Sequence, residues 1–362
     1  MSRPPVRRPV LLPALRRLWR DPNRLQIGTE PGRAVMLELT EPACARLLDL
    51  LDGSRTEATL VREAARSGIA AADTLAVLAA LRRAGYVVDV HALRPTEPAR
   101  RRLEGEAVAL ALRGRLGARR PAAALRRRQA AQVLVTGASQ LAVPIAAVLG
   151  SAGVGHLDPD VGGVATIDDA APAGLLPADA YRPRGVAAAD AVRRVAPEAD
   201  LAPLARGRVT FAVLVGDAAP ATLTALAYSR RRLPHLAVTV RDGTVVVGPL
   251  VRPGQSPCLN CLDLHRRDRD PAWPVLAAQL HTSPDLATPL AATTVLAGAA
   301  FAAEEVLTHI DGGQPTTLGV TVEITGPGQD RRRRWTHHPR CGCQRRPGRL
   351  ISARERPPEC FN

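Results

Sequence analysis

The sequence predicts an α/β protein in which a Rossmann-like domain with a zinc site follows a small winged-helix-like α+β domain. Three observations lead to this prediction: strand and helix patterns before residue 92, a buried strand that turns at a glycine into an apolar helix, and four cysteines in two close pairs. The chain of 362 residues has room for about two domains of ordinary size.

Changes in composition divide the sequence into segments. These are a basic tail over 1–20, the winged-helix-like domain over 21–92, an Arg- and Ala-rich linker with helix over 93–131, the Rossmann-like domain with its zinc site over 132–346, and a second tail over 347–362. We expect one or two solvated helices in the linker, because it is rich in Arg, Ala and Pro.

Basic charge is abundant but unevenly placed. The chain has 49 basic and 34 acidic residues, a formal net charge of +15, and it contains no lysine, so every basic residue counted is arginine. Such a charge would ordinarily suggest an anionic partner. Residues 21–90, however, hold eight arginines and ten acids. Because phosphate contact dominates DNA affinity, we do not expect this domain to bind nucleic acid.

The sequence offers no candidate membrane segment. Arg, Pro or acidic residues interrupt its apolar stretches well before the roughly 18 residues that a membrane span needs. The N-terminus also lacks the uninterrupted apolar core of a secretory signal. We therefore expect no membrane partner and a cytoplasmic location.

The elements of the first domain are predicted from hydrophobic spacing, caps and turn residues. In chain order they are strands over 25–29 and 34–39 joined at Pro31–Gly32, helices capped by Thr40 and Thr56, a helix over 71–85 that ends at Gly85, and a strand over 86–88. Strands followed by three helices and a returning strand give the outline of a winged-helix-like domain.

The second domain opens with a strand, a glycine turn and a helix. Its predicted elements are a strand over 133–135, the turn Thr136-Gly137-Ala138-Ser139, an apolar helix over 141–149, a strand over 209–215, a helix through Tyr228, and strands over 236–240 and 245–251 joined at Arg241-Asp242-Gly243. In dinucleotide-binding folds, glycines after the first let the backbone approach a pyrophosphate, but here those positions carry side chains. The pattern therefore predicts the fold and not the ligand.

The cysteines form a CxxC pair, Cys258 and Cys261, and a CxC pair, Cys341 and Cys343. Two thiolates on one short turn can bind one side of a metal ion while a second turn completes the tetrahedron, so we predict a closed structural zinc site. Two disulfides are disfavoured without an export signal, and buried free cysteines would not need this pairing. The histidines at 337–338 are alternative ligands, although both are expected to be loop residues.

The order of these parts resembles the ThiF superfamily of ubiquitin-activating-like adenylating enzymes over about residues 110–345. The resemblance rests on the segments VLVTGAS, AGVGHLDPD, RRVAPEAD, GPLVRPGQSPCLNC and the final CGC. It implies a site in which a glycine-rich loop, an acid on the ribose, a lysine and a magnesium-binding aspartate hold ATP while a C-terminal carboxylate is adenylated.

This chain keeps little of that site. The positions that match are Gly137 for the loop, Asp158 or Asp160 for the ribose and Asp217 for magnesium. The lysine is missing, and Arg182 or Arg184 would offer charge without the geometry of a compact ammonium group. The four cysteines of this domain are assigned to zinc, which leaves none for a thioester. We therefore predict no catalytic residue, a vestigial nucleotide site, zinc as a structural cofactor, and no use of ATP or Mg²⁺.

The first domain resembles the PqqD-like element that recognises peptides in natural-product pathways, through its strands, its Leu-rich helix and the segment DGSRT at 52–56. The resemblance implies that a leader peptide adds as a strand beside the hairpin and lies against the third helix. The residues implied are Ala34, Val35, Met36, Leu37 and Leu39 on the edge strand, and Leu75, Leu78 and Arg82 on the helix. A purely structural cap is the alternative.

Together the two domains resemble the leader-peptide-binding, Ocin-ThiF-like partner proteins of cyclodehydratases in thiazole/oxazole-modified (TOMM) and bacteriocin-like peptide biosynthesis. This implies a non-catalytic, homodimeric adaptor that presents a precursor leader peptide to a separate YcaO-type enzyme. The alternatives are an active ATP-dependent adenylyltransferase acting on a peptide or carrier-protein C-terminus and a DNA-binding regulator. The segment LDLHRRDRDPAW at 262–273 is either a surface loop of ion pairs or a docking site anchored by Trp and Arg.

Overall fold

The amino-terminal sheet is built around one central strand. The computed structural model describes residues 8–114, 121–137, 139–216, 221–282 and 289–344. Its first elements are β1 (Pro9–Leu11), β2 (Arg17–Asp21), β3 (Arg24–Ile27), β4 (Val35–Glu38), a 3₁₀ helix (Pro42–Leu50), α1 (Glu57–Arg66), α2 (Ala71–Arg83), β5 (Val87–Asp89) and α3 (Val90–Leu93). The antiparallel sheet has the order β2-β3-β4, and β1 pairs with β5.

The predicted hairpin is present, and one of its faces forms the core of this domain. Leu25 and Ile27 on β3 point to the same side as Leu37 on β4, because Leu25 and Leu37 are cross-strand partners and alternate residues of a strand share a face. Leu60 of α1 and Leu78 of α2 cover this face, and all five side chains are buried. The two helices therefore pack onto the sheet through one apolar cluster.

Two of the three predicted helix ends are confirmed. The Thr56 hydroxyl oxygen accepts from the backbone N–H of Thr59 at 3.2 Å and caps α1, and Gly85 follows α2 with a left-handed φ of 75°. The predicted Thr40 cap is wrong. The first helical segment is a 3₁₀ helix that begins at Pro42, where proline loses no hydrogen bond.

The predicted basic tail over 1–20 is wrong for its described part. Residues from Pro9 onward form β1 and β2, and the side chains of Leu11 and Leu12 are buried. The number of arginines misled the prediction: this short apolar run packs inward while the arginines of β2 stay exposed. Residues 1–7 and the predicted second tail lie outside the described residues.

A larger sheet forms the second half of the molecule. The remaining elements are α4 (Arg100–Arg113), α5 (Pro121–Ala130), β6 (Gln132–Gly137), α6 (Ala142–Ser151), β7 (His156–Asp160), α7 (Arg184–Val195), β8 (Phe211–Val215), α8 (Ala221–Arg230), β9 (His235–Arg241), β10 (Thr244–Val251), α9 (Leu259–Arg269), α10 (Trp273–Thr282), α11 (Ala292–Ile310), β11 (Val320–Gly326) and β12 (Gln329–Arg334). The strand order is β12-β11-β10-β9-β8-β6-β7. The four strands β7, β6, β8 and β9 are parallel, which confirms the predicted Rossmann-like arrangement, while β10, β11 and β12 extend the sheet antiparallel.

The two helices of the predicted linker are packed and not solvated. Leu103 on α4 and Leu125 on α5 belong to one buried apolar cluster. Arg128 on α5 is 3% exposed, and its guanidinium lies 2.7 Å from a carboxylate oxygen of Asp311 and 2.8 Å from one of Glu106. A buried ion pair therefore fastens these helices to the end of α11. Among the described residues, no helix is long and apolar enough to cross a bilayer.

Replacing Asp311 by alanine should lower the free energy of unfolding by about 3–5 kcal/mol, because the buried Arg128 charge loses its main partner. Denaturant titration measures this loss. The control is Asp21→Ala, which breaks a pair with Arg24 on the surface and should cost less than about 1 kcal/mol. A similar loss for both variants would contradict the anchoring role of the buried pair.

Candidate functional site

The four cysteines of the predicted zinc site come together at the start of α9. Cys258 precedes the helix, Cys261 lies in its first turn, and Cys341 and Cys343 lie on the segment after β12. Their sulfurs are 3.8 Å apart for Cys258 and Cys261, 3.6 Å for Cys258 and Cys341, and 3.5 Å for Cys261 and Cys343. All four sulfurs lie within 4.8 Å of one another.

This arrangement fits a tetrahedral zinc ion. Zn–S bonds of about 2.3 Å place the sulfurs of a tetrahedron about 3.8 Å apart. A disulfide would need a sulfur separation of about 2.05 Å, and all four residues are free cysteines. Because the donors are four thiols and leave no open position, zinc bound here would act as a structural cross-link between α9 and the carboxyl-terminal segment.

Hydrogen bonds within the cluster favour a thiolate at Cys261. The bond donated by the Cys258 thiol is the largest cause that lowers the pKa of Cys261, and the same bond raises the pKa of Cys258. Burial raises the pKa of Cys343 to about 12. The Asn260 side-chain amide donates to the Cys341 sulfur at 3.3 Å. The Asn260 amide is thus placed to donate to a Cys341 thiolate, the form that a bound metal ion would stabilise.

The segment over 262–273 is largely helical and not the surface loop that is one of the two alternatives; its use as a docking site stays a prediction. Most of it forms α9, and its side chains bind within the molecule. Nε2 of His338 lies 2.8 Å from a carboxylate oxygen of Asp268, and the Trp273 indole donates to Asp263 at 2.5 Å. The segment therefore fixes the helix that carries two of the zinc-site cysteines.

His338 supports the cysteine cluster and is not placed as a ligand. Its Nδ1 accepts from the backbone N–H of Arg340 at 3.1 Å, which assigns the proton to Nε2 and lets Nε2 donate to Asp268. This bond is the largest cause that lowers the pKa of Asp268. Nδ1 of His337 lies 3.6 Å from the Cys343 sulfur. Sequence reasoning missed the Asp268 support, and its only signal was the histidine pair just before the CxC.

Two cavities open at the carboxyl ends of the parallel strands, where open α/β sheets bind ligands. One, of about 450 Å³, lies beside the ends of β6, β8 and β9 and is lined largely by apolar side chains, including those of Leu223 and Leu280. The other, of about 950 Å³, lies beside β7 and is lined by Asp158, Asp160 and Arg206, among others. The predicted nucleotide site is therefore divided between two cavities.

The presence of glycine at position 137 is explained by strand packing, without a bound phosphate. Its φ is +128°, and a Cβ at this position would lie 1.7 Å from the carbonyl oxygen of Val215. Only glycine lets β6 approach β8 this closely. Beyond the turn, the Gln140 side-chain amide donates to the carbonyl oxygen of Asp168. Gly137 lines the smaller cavity.

The candidate acidic residues have different surroundings. The Asp158 carboxylate accepts from the backbone N–H of Leu204 at 2.7 Å and so holds the loop that follows. Asp160 is exposed at the rim of the larger cavity. Asp217 lies outside the described residues. The structure therefore brings Asp158 and Asp160 to one cavity and Gly137 to the other.

The two arginines considered in place of the missing lysine, Arg182 and Arg184, are already paired with carboxylates. Arg182 lies 2.5 Å from a carboxylate oxygen of Asp179 and 2.5 Å from one of Asp190, and these bonds, that to Asp190 first, raise the pKa of Arg182. Arg184 lies 2.9 Å from a carboxylate oxygen of Asp169. Their positive charge is compensated within the loop and the start of α7.

The β4 strand presents an open edge. It is the last strand of its sheet, and β3 is its only neighbour among the described residues. The N–H of Leu39 donates to the carbonyl of Asn23, so by the alternation of antiparallel pairs Leu37 also turns its backbone groups toward β3. Met36 and Glu38 then turn their N–H and C=O groups to the open side.

The residues predicted to line a groove beside β4 are only partly available. Leu75 is 46% exposed and Met36 is 41% exposed, whereas Leu78 is 1% exposed and belongs to the core. Arg82 lies 2.7 Å from a carboxylate oxygen of Glu57. The remaining strand positions are half-buried for Ala34, Val35 and Leu39 and buried for Leu37. Met36 and Leu75 are thus the exposed apolar side chains of the predicted set.

We expect the purified protein to contain about one zinc ion per chain, since the four sulfurs match a closed tetrahedral site. Elemental analysis measures the content. Cys341→Ser should lower both the zinc content and the thermal stability, whereas Cys44→Ser, a half-buried cysteine outside the cluster, should keep both. Equal zinc in the Cys341 variant and the parent protein would contradict this assignment.

Comparison with known proteins shows similarity in structure only. The chain matches no protein-family model and no curated protein sequence. Escherichia coli MccB solved with ATP is 13% identical, with a TM-score of 0.65 over 92% of this chain and 99% of that one. The Microcin C7 biosynthetic enzyme MccB in complex with N-formylated MccA is 12% identical, with a TM-score of 0.64 over 93% and 99%. The heterocyclase TruD is 14% identical, with a TM-score of 0.59 over 93% of this chain and 42% of TruD. The chain therefore shares the fold of MccB over nearly its whole length.

Proposed function

We propose that this protein captures the leader segment of a ribosomal precursor peptide and presents it to a separate YcaO-type enzyme that cyclises Cys, Ser or Thr side chains of the peptide. In this proposal the amino-terminal domain binds the leader, and the ThiF-like domain, as a homodimer, is a scaffold that does not adenylate. The observation that carries the proposal is the open edge of β4.

The β4 edge supports strand addition by a peptide. The backbone groups of Met36 and Glu38 alternate donor and acceptor along the open side, which is the pattern that an extended peptide pairs with. Contacts between α2 and β4 place the helix near this strand, and Leu75 of α2 exposes apolar surface. Main-chain bonds would hold the leader, while Leu75 and Met36 would select its side chains.

The charge arrangement argues against adenylation. Transfer of a nucleotidyl group needs cations that are free to stabilise charge developing on phosphate. Arg182 and Arg184, the arginines considered in place of the family's lysine, instead bind Asp179, Asp190 and Asp169. Releasing Arg184 for a phosphate would leave Asp169 without its cationic partner, and releasing Arg182 would do the same to Asp179.

The structural relatives support a function in peptide modification. One of them, MccB, is described as a biosynthetic enzyme and has been solved with N-formylated MccA and with ATP; another, TruD, is a heterocyclase. The ATP complex keeps an active adenylyltransferase as the second candidate. The cavity beside β7, with Asp160 at its rim, is the feature of this chain that favours that candidate.

Peptides selected from a random displayed library against the full-length protein should lose roughly tenfold or more in affinity for a Met36→Pro variant. Proline at this position removes an outward N–H of the β4 edge and leaves the bonds to β3 in place. Fluorescence polarisation of the labelled peptides measures the affinities.

The control for the edge variant is Trp19→Pro on the opposite edge strand, β2. The N–H of Gly28 donates to the carbonyl of Arg16, so the same alternation turns the backbone groups of Trp19 outward. Trp19→Pro should bind the peptides as the parent protein does. If Met36→Pro also binds them unchanged, the leader site is not at β4 and the proposal fails.

A further inference from the structure

The outermost strand of the large sheet, β12, is an arginine-rich edge. Its sequence is Gln329-Asp330-Arg331-Arg332-Arg333-Arg334, and every residue except Arg333 is exposed. Among the described residues β12 pairs only with β11. We call this strand, with its four consecutive arginines, the arginine edge.

The arginine edge offers backbone hydrogen-bonding groups to a partner. The N–H of Trp335 donates to the carbonyl of Gly319 at 2.9 Å, which fixes the alternation of the ladder. Arg333 and Arg331 therefore turn their backbone groups toward β11, and Arg332 and Arg334 turn theirs outward. An extended polypeptide presents the matching series of donors and acceptors.

The charge of the arginine edge extends onto the adjoining face. Alternation places Arg331 and Arg333 on the same face as Trp335. Three guanidinium groups surround the Trp335 ring, those of Arg269 at 5.3 Å, Arg333 at 5.8 Å and Arg266 at 6.0 Å from its centroid. These cations gather around one indole and make the face strongly positive.

We propose that the arginine edge docks an acidic, extended segment of a partner polypeptide, which adds as a further strand beside β12. This proposal does not depend on the leader-binding site at β4. On an added strand of alternating acidic and apolar residues, the acidic side chains all lie on one face of the sheet, opposite Arg332 and Arg334. Main-chain hydrogen bonds would fix the register of the added strand against β12, and opposite charges would select acidic segments.

Other binding partners fit the arginine edge less well. A second copy of β12 would place arginines across from arginines, and like charges that face each other destabilise a strand pair. The chain's own end, residues 345–362, holds five arginines and two glutamates and so has the wrong charge. A nucleic acid backbone offers phosphate oxygens, which accept hydrogen bonds but cannot satisfy the outward carbonyls of Arg332 and Arg334.

The test uses the full chain and a fluorescein-labelled peptide of alternating Glu and Val. We expect the peptide to bind and to slow amide hydrogen exchange at Arg332 and Arg334. Arg332→Glu combined with Arg334→Glu should weaken binding roughly tenfold or more. The control, Arg62→Glu with Arg66→Glu, makes the same change in net charge on the exposed surface of α1 and should bind nearly as the parent protein does.

Two further probes separate strand addition from general attraction to charge. The same peptide carrying N-methyl groups on alternate residues keeps its charge but cannot pair as a strand, so it should bind weakly. Duplex DNA should not protect the two amides. Three results would each overturn the proposal: the alternating peptide does not bind, the N-methylated peptide binds equally well, or duplex DNA protects the two amides. Met36→Pro should leave binding of the Glu/Val peptide unchanged, so this test and the test of the leader site can fail independently.

Discussion

The close approach of four cysteine sulfurs is the constraint that organises the carboxyl-terminal half of the molecule. It ties the first turn of α9 to a segment distant in sequence, and the intervening strands and helices must return to the same place. Asp268 and His338 reinforce this junction from the opposite end of α9. Because α9 supplies Leu259 and Leu262 to the smaller cavity, the junction also shapes the crevice at the carboxyl ends of the parallel strands.

The same fold therefore supports two different uses of its surfaces. A crevice at the ends of parallel strands suits a nucleotide when glycines and free cations line it. Here the glycine serves the contact of two strands, and the basic side chains bind carboxylates of their own loop. Open backbone groups also lie at the edge strands of the two larger sheets, among them β4 and β12. Exposed strand edges of this kind are the surfaces at which extended polypeptides can add as further strands.

The sequence predicted the parts of the structure that local patterns determine. Alternating and continuous apolar runs located β3 to β6 and β8 to β10, and the spacing within the CxxC and CxC pairs located the cysteine cluster, because both are set over a few residues. The strands β1, β2, β11 and β12 were not predicted. Arginine-rich segments were misjudged. Leu11 in the supposed tail and Arg128 in the supposed linker are buried by contacts with distant residues, which composition does not reveal.

The candidate nucleotide site shows the same limit. A match to a family motif identified Gly137, Asp158 and Asp160, yet their roles depend on partners that only the folded chain brings near. The nearby carbonyl oxygen of Val215 explains why residue 137 is glycine, and the backbone N–H of Leu204 already donates to the Asp158 carboxylate. Leu78 is buried in the core and so does not line the predicted groove. The apolar spacing of a helix predicts which side is buried, but not which of its residues lie in the core and which at the edge of the buried side.

The claim that this chain holds a peptide without activating it is tested most directly by mass spectrometry of the peptide itself. A library-selected peptide would be incubated with the purified protein, ATP and Mg²⁺, and then recovered. The account predicts that all of the peptide returns with its original mass. Recovery of peptide that carries AMP on its carboxyl terminus would contradict it and would make this protein an adenylating enzyme.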